Sequence, residues 1–383
     1  MKVVYLAEVK WNYLPQRHRQ IATRFPPDWV VLFVEPFTVG LSNPFRPRRD
    51  GRITYVTMPG FKNFPQPWLQ ALLRISALRA VAEAAIAAWL YCILTATGFR
   101  RPEVVLVSNI YYARLLPRLF PGVPVVYDLC DHHLAFPHTP RWAAACFAAL
   151  CRHAARIVIS GQALAELVPA PLRPKLIYIG NGADVARFSA AAARTPNPPA
   201  PPILLYLGTL YEWFDFDLIR RVALAYPDKR IVLVGPVARA VRHQADALLA
   251  LPNLRMTGRV PQPEADQWLA QASVCLIPFI KNPLTRGINP NKLYEYLAAG
   301  KPVVSSDFSP EIEAHRGLIG VARDADEFAA LIETALAGGQ AGAAERRRQI
   351  ARAHDWQFKA DQYVQLLAEL AQGGGAQLPG RSR

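Results

Sequence analysis

Short runs of aliphatic and β-branched residues recur along this chain, separated by helix-length segments. They fall into two sets, one on each side of a proline-rich stretch. The first set occupies residues 3–6, 30–34, 53–56, 104–107, 125–127, 157–159 and 176–179. The second occupies residues 203–207, 231–234, 254–257, 274–277, 303–305 and 318–321. Near-continuous apolar strands alternating with helices are the pattern of parallel sheets covered on both faces. Between the sets, prolines crowd residues 196–202, where they suit neither a sheet nor a helix interior, so an extended linker is expected. The fold class is α/β: two Rossmann-like doubly wound parallel-sheet domains, whose ligands bind at the carboxyl ends of the strands. The predicted divisions are an N-terminal domain over 1–190, a linker over 191–202 and a C-terminal domain over 203–353. An amphipathic helix over 354–371 and a Gly-rich disordered tail over 372–383 complete the chain.

With 383 residues the chain is long enough for two ordinary cores, and its 52% hydrophobic, 19% charged balance is globular. Five scattered cysteines, odd in number and without C-x-x-C or metal-ligand spacing, point to a reducing compartment and to no metal centre. The amino terminus runs straight into a strand without a signal-peptide flank, so a cytoplasmic location is expected. The net charge of +15 is uneven: residues 1–190 carry 22 Lys and Arg against 10 Asp and Glu. A basic N-terminal half implies an anionic partner or simply solubility. Aromatic residues are not interleaved with the basic ones, and no nucleic-acid module is recognisable, which excludes nucleic acid as a partner.

Residues 67–99 read as a long apolar helix or a broken pair. The uncharged part, 84–99, falls short of the ~20 residues needed to span a bilayer. Two roles stay open: a core helix on the N-terminal sheet, or an interfacial surface docking on anionic membrane with Arg46, Arg48, Arg49, Arg52 and Lys62 nearby.

The most informative stretch is 285–304. Asn289 is a good N-cap, Pro290 suits the first helical position, and Gly300 ends the helix before the next strand. The helix start favours a phosphate, Gly287 permits close backbone approach, and Lys292 adds positive charge in the first turn. Glu295 shares a face with Lys292 and could accept hydrogen bonds from ribose hydroxyls. The alternative is a Lys292–Glu295 surface pair on an ordinary capped helix.

Residues 289–304 resemble the C-terminal motif of the family 4 (group 1) retaining glycosyltransferases of the GT-B fold. Residues 179–188 are similar to the segment that closes the N-terminal domain in that family, and 205–210 to the strand and loop that open the nucleotide domain. The helix beginning near Trp356 resembles the one that crosses back onto the first domain. Trp11, Gln16, Arg17 and residues 127–131 look like the subgroup of teichuronic-acid and exopolysaccharide biosynthesis. The resemblance covers roughly residues 1–370 and is more specific in the second half.

It implies two domains facing a cleft, and transfer of a sugar from a nucleotide diphosphate-sugar to a polysaccharide or lipid-linked acceptor in cell-wall synthesis. No cofactor or metal is implied, and a peripheral location on the inner face of the plasma membrane fits. Donor contacts are implied for Gly208, Thr209, Gly235, Pro236, Arg259, Arg286, Gly287, Ile288, Asn289, Lys292, Leu293 and Glu295. Glu295 matches the second glutamate of the family's E-x7-E motif; the first falls at Gly287 and is absent. The loop over 208–215 also lacks the usual basic pair, leaving Arg259, Arg286 and Lys292 for the diphosphate.

In the N-terminal domain Asp128, Asp131 and His132, with His133, follow a strand at its carboxyl end, where a side chain could orient the acceptor or contact the leaving phosphate. Asp128 could equally cap the next turn. Glu8, Lys10, Trp11 and Arg17 stand where acceptors are received, and Trp11 could stack on a sugar or pack under the loop. Two other functions remain: a GT-B sugar-nucleotide epimerase, disfavoured by Gly287, and a non-enzymatic basic membrane-surface protein.

Overall fold

The computed structural model describes residues 1–13, 16–59, 72–137, 139–193, 200–338 and 342–373. Within it the chain forms two compact units: residues 1–160, 164–179 and 359–383, and residues 161–163 and 180–358.

The first unit is built on an eight-stranded sheet of order β3-β4-β2-β1-β5-β6-β7-β8. Its strands are β1 Lys2–Leu6, β2 Val30–Pro36, β3 Arg48–Asp50, β4 Ile53–Met58, β5 Val104–Val107, β6 Val125–Leu129, β7 Arg156–Ile159 and β8 Leu176–Tyr178. All pairings are parallel except β3 with β4. The apolar runs are buried because both faces are covered; Val4, Leu32 and Val105 lie side by side with no exposed surface. Strand β3 has no apolar run, and sequence reading missed it. It is an exposed, charged edge, a composition that blocks further strand pairing.

The long apolar helix runs over Ser76–Ala96, so 72–75 precede it and 97–99 follow; residues 60–71, including Lys62 and 67–71, lie outside the described residues. At 21 residues and mean hydropathy 1.6 it is long and apolar enough to cross a membrane by length and composition. Ile86, Leu90 and Leu94, one turn apart, are buried against the sheet. Arg79 packs over Trp142 and reaches Glu83 at 3.8 Å. Leu78, Val81 and Tyr91 are exposed, so the helix joins the core by one stripe and presents apolar residues outward.

The second unit holds six parallel strands, β9 Ile203–Leu207, β10 Arg230–Val234, β11 Leu254–Gly258, β12 Val274–Ile277, β13 Val303–Ser306 and β14 Gly320–Ala322. Their order is β11-β10-β9-β12-β13-β14. The direction of winding reverses between β9 and β12, which makes the carboxyl ends of those two strands the crevice for a ligand.

The predicted linker is shorter than its composition suggests. Residues 191–193 finish the helix Val185–Ala193, since its alanines are strong helix formers. Residues 194–199 lie outside the described residues, as do 374–383 of the predicted tail. The last helix, Trp356–Gly373, runs two residues further than expected. Its Tyr363, Leu366 and Leu367 are buried.

Candidate functional site

In the C-terminal unit, Gly208 follows strand β9, Gly235 follows β10, and β11 ends on Gly258. All three have positive φ, at 147°, 142° and 69°. The turns interlock: Gly208 N donates to Val234 O at 2.7 Å, and Gly235 N donates to Gly258 O at 3.0 Å. A Cβ on Gly235 would overlap the Gly208 carbonyl, and a Cβ on Gly208 would overlap Cε and Nζ of Lys292. These absent side chains let the Lys292 ammonium lie against the backbone at the end of β9. The ammonium also lies over two aromatic rings, with Nζ 5.2 Å from the Tyr206 centroid and 5.8 Å from that of Phe279.

Lys292 stands in the first turn of the helix Asn291–Ala298, which follows β12. Pro290, not Asn289, is its N-cap, with extended ψ of 121° and no side-chain cap. Asn289 is instead held in the preceding loop, 2% exposed, its carbonyl accepting from Asn181 Nδ2 at 2.7 Å. An N-terminus with no capping side chain keeps its positive end available to an anion. Burial holds the Lys292 ammonium below the usual lysine range, and Glu295 opposes that shift. Burial likewise pushes the Glu295 carboxyl up, against the pull of Lys292 and Arg187. Thr209 Oγ1 and Asn291 Oδ1 are buried with no hydrogen-bond partner among the described residues. Such atoms are costly unless a ligand satisfies them.

The other predicted donor residues divide by position. A capping box of Asn282 and Thr285 starts the short helix Pro283–Arg286 and delivers exposed Arg286 at its end. Gly287 follows with φ −83°, which any residue adopts, so its backbone does not require glycine. Ile288 packs against the core, Pro236 accepts from Leu210 N at 2.9 Å, and Arg259 is exposed beyond β11. Leu293 is a correction: it is fully buried in the core and cannot offer its side chain to a donor.

Larger corrections fall in the N-terminal unit. Asp128 has no exposed surface and accepts from Arg17 Nε at 3.2 Å, Tyr363 at 2.7 Å and Tyr5 at 3.1 Å. Arg17 also donates to Ile179 O and to Tyr363 Oη. Burial is the largest influence on Arg17 and opposes its charge, but Asp128, Tyr363, Cys130 and Tyr5 together outweigh it and raise its pKa. These two residues join the last helix to the sheet rather than meet substrate. Lys10 Nζ is consumed by Glu35 at 2.8 Å, Ser42 O at 2.8 Å and Thr57 at 3.0 Å. Trp11 is fully buried on Phe33 and Tyr55, its Nε1 donating to Asp50 at 2.9 Å, so it packs and does not stack on a sugar. Asp131 and His132 are partly exposed, and burial lowers the His132 pKa.

One constellation was not visible in the sequence. Glu8 after β1, His18 in the helix Arg17–Ala22 and Cys130 after β6 meet at the carboxyl end of the sheet. The Cys130 thiol donates to Glu8 Oε1 at 2.9 Å and lies 3.8 Å from His18 Nε2. Burial, and then Glu8, push that thiol well above the usual range. No spacing rule connects residues 122 positions apart in the chain; only the parallel order of β1, β5 and β6 does.

Residues 201–338 match the sequence family described as Glycosyl transferases group 1. The match is confined to the C-terminal unit. The Gly208–Lys292 site lies inside it. A Bacillus subtilis protein named as a teichuronic acid biosynthesis glycosyltransferase, TuaH, is 30% identical over 198 residues. That match takes in 48% of this chain, and the chain spans about half the length of that relative, 48%. Among solved structures, sucrose-phosphate synthase from Thermosynechococcus elongatus superposes with TM-score 0.77 at 14% identity, over 97% of this chain and 99% of that one. Anabaena HepE in complex with UDP gives 0.68 at 16% identity, over 96% and 100%. These likenesses show the fold: α/β with two parallel-sheet Rossmann-like domains, GT-B.

Proposed function

We propose that this chain is a glycosyltransferase that moves a sugar from a nucleoside diphosphate sugar to a glycan or lipid-linked acceptor in cell-surface glycan synthesis, with retention. The observation that carries this reading is the Lys292 ammonium held against Gly208 at the switch point of the C-terminal sheet. A diphosphate there meets a charged donor, a helix N-terminus and the unpartnered Thr209 hydroxyl. As the sugar–phosphate bond breaks, negative charge grows on the departing diphosphate. Lys292 and the helix end stabilise that charge in place, so they act most strongly in the transition state. Glu295, on the same helix, suits the ribose hydroxyls.

In the retaining course the acceptor hydroxyl attacks on the face that the diphosphate leaves, with a phosphate oxygen taking its proton. Asp131 and His132 are the partly exposed N-terminal candidates for orienting that hydroxyl. The likeness to TuaH supports a cell-wall polymer as acceptor, and the UDP bound to HepE supports a uridine donor. Gly287 carries no carboxylate, which leaves the epimerase reading without a second acid or base on this loop.

A location on the cytoplasmic face of an anionic membrane fits two observations. The helix Ser76–Ala96 and the residues before it expose Leu72, Ile75, Leu78, Val81 and Tyr91. Arg46, Arg48, Arg49 and Arg74 of the same unit are exposed too.

The test is turnover of UDP-, GDP- and ADP-sugars with candidate acceptors, with the anomeric configuration of the product read by NMR. Transfer with the donor's configuration supports the reading. A change of sugar in the nucleotide-bound pool, with no transfer, would replace it by the epimerase.

A further inference from the structure

We propose that Glu8, His18 and Cys130 form a binding site for a thiophilic divalent cation of the zinc type. One ligand atom from each lies within 4.8 Å of the others. Tetrahedral zinc, with bonds of about 2.0–2.3 Å, places its ligand atoms roughly 3.3–3.7 Å apart. The 3.8 Å between Cys130 Sγ and His18 Nε2 already has nearly that span. Glu8 is drawn closer, to 2.9 Å, because the thiol donates a hydrogen bond to it. Loss of that proton removes the bond, and a cation between the two takes its place.

The surroundings suit ligands rather than a chance polar cluster. Glu8, His18 and Cys130 are 6%, 3% and 9% exposed. Glu8 and Cys130 are held by neighbours: Glu8 N donates to Ser108 Oγ at 3.1 Å. That hydroxyl also lies 2.9 Å from His18 Nε2, the ligating nitrogen, a contact that a bound cation would replace. His133 Nδ1 lies 3.3 Å from Glu8 Oε2, and Ser160 donates to the Cys130 carbonyl at 2.9 Å. Partners of this kind orient metal ligands in known sites. Sulfur and imidazole select zinc-like ions over magnesium. Binding is an exchange without redox: the Cys130 S–H bond breaks, a sulfur–metal bond forms, and one proton leaves to solvent. Three protein donors leave a fourth position open.

The experiment uses the full-length chain, stripped with chelator and kept reduced, titrated with Co²⁺. The proposal expects a thiolate-to-cobalt charge-transfer band that saturates at about one equivalent and is bleached by Zn²⁺. Cys92→Ser, at an exposed cysteine, should keep the band, and Cys130→Ser should lose it. His133→Ala should weaken binding on the order of 10–100-fold. No band in the wild-type protein, or a band that survives in Cys130→Ser, overturns the proposal. The readout is independent of glycosyl transfer.

Discussion

The three glycines on the C-terminal rim share a positive φ but differ in what a side chain would meet, so alanine at each separates backbone strain from ligand contact. At Gly258 a Cβ meets nothing within 4 Å. Gly258→Ala therefore costs only the left-handed backbone, about 1–2 kcal/mol, or about 2–8 °C of melting temperature for a unit of this size. At Gly235 the Cβ meets the Gly208 carbonyl, and Gly208 N is tied back to Val234 O. That backbone cannot yield cheaply, so Gly235→Ala should be the most destabilising of the three. At Gly208 the Cβ meets only the flexible tip of Lys292. The fold should pay roughly 1–3 kcal/mol in backbone strain, while the ammonium is pushed from its seat. Losing its charge-assisted contact with a diphosphate costs about 1.5–3 kcal/mol, or roughly 10- to 150-fold in donor affinity. Thermal melts and calorimetric titration with a nucleoside diphosphate sugar measure both axes. The reasoning is refuted if Gly208→Ala binds donor normally, or if Gly258→Ala weakens binding as much.

Three further outcomes follow from other parts of the molecule. Asp128→Asn strands a buried Arg17 and should cost about 3–5 kcal/mol in denaturant unfolding, with donor affinity unchanged; a kinetic defect without a stability loss would return Asp128 to catalysis. Lys292 has a depressed pKa in the free protein, and a bound diphosphate favours its ammonium form. Donor binding should thus be strongest below the free Lys292 pKa, weaken as pH rises through it, and take up protons in that window. Calorimetry in buffers of different ionisation heat reads that uptake, and an alkaline limb at the ordinary lysine range would contradict it. Val81→Glu, at a 68% exposed position, should reduce co-sedimentation with anionic vesicles while leaving the unfolding free energy within about 0.5 kcal/mol of wild type.

The doubly wound architecture was legible because buried parallel strands must be apolar on both faces, and runs such as 104–107 and 274–277 leave no other reading. Strand β3 was not legible: an exposed edge of Arg48, Arg49 and Asp50 carries no burial signal. The candidate site was partly legible. Lys292 and Glu295 follow from helix spacing, but the contact of Lys292 with Gly208 is tertiary, between residues in different strand–helix units. Four of the N-terminal predictions, Lys10, Trp11, Arg17 and Asp128, went wrong for one reason. Charged and aromatic residues at strand ends read as ligand contacts, yet Lys10, Trp11, Arg17 and Asp128 satisfy one another or nearby residues and are buried. Linear spacing cannot distinguish a polar group that waits for a ligand from one already paired. It also cannot bring Glu8, His18 and Cys130 together.

The central claim is that the C-terminal unit grips a nucleoside diphosphate through Lys292 at the end of β9. Isothermal titration of the full-length chain with UDP-, GDP- and ADP-sugars, in wild type and Lys292→Ala, tests it most directly. The account predicts saturable binding of at least one donor, weakened roughly 10- to 150-fold in Lys292→Ala with the fold intact by circular dichroism. Binding of none of the three, or equal affinity in the variant, would contradict it.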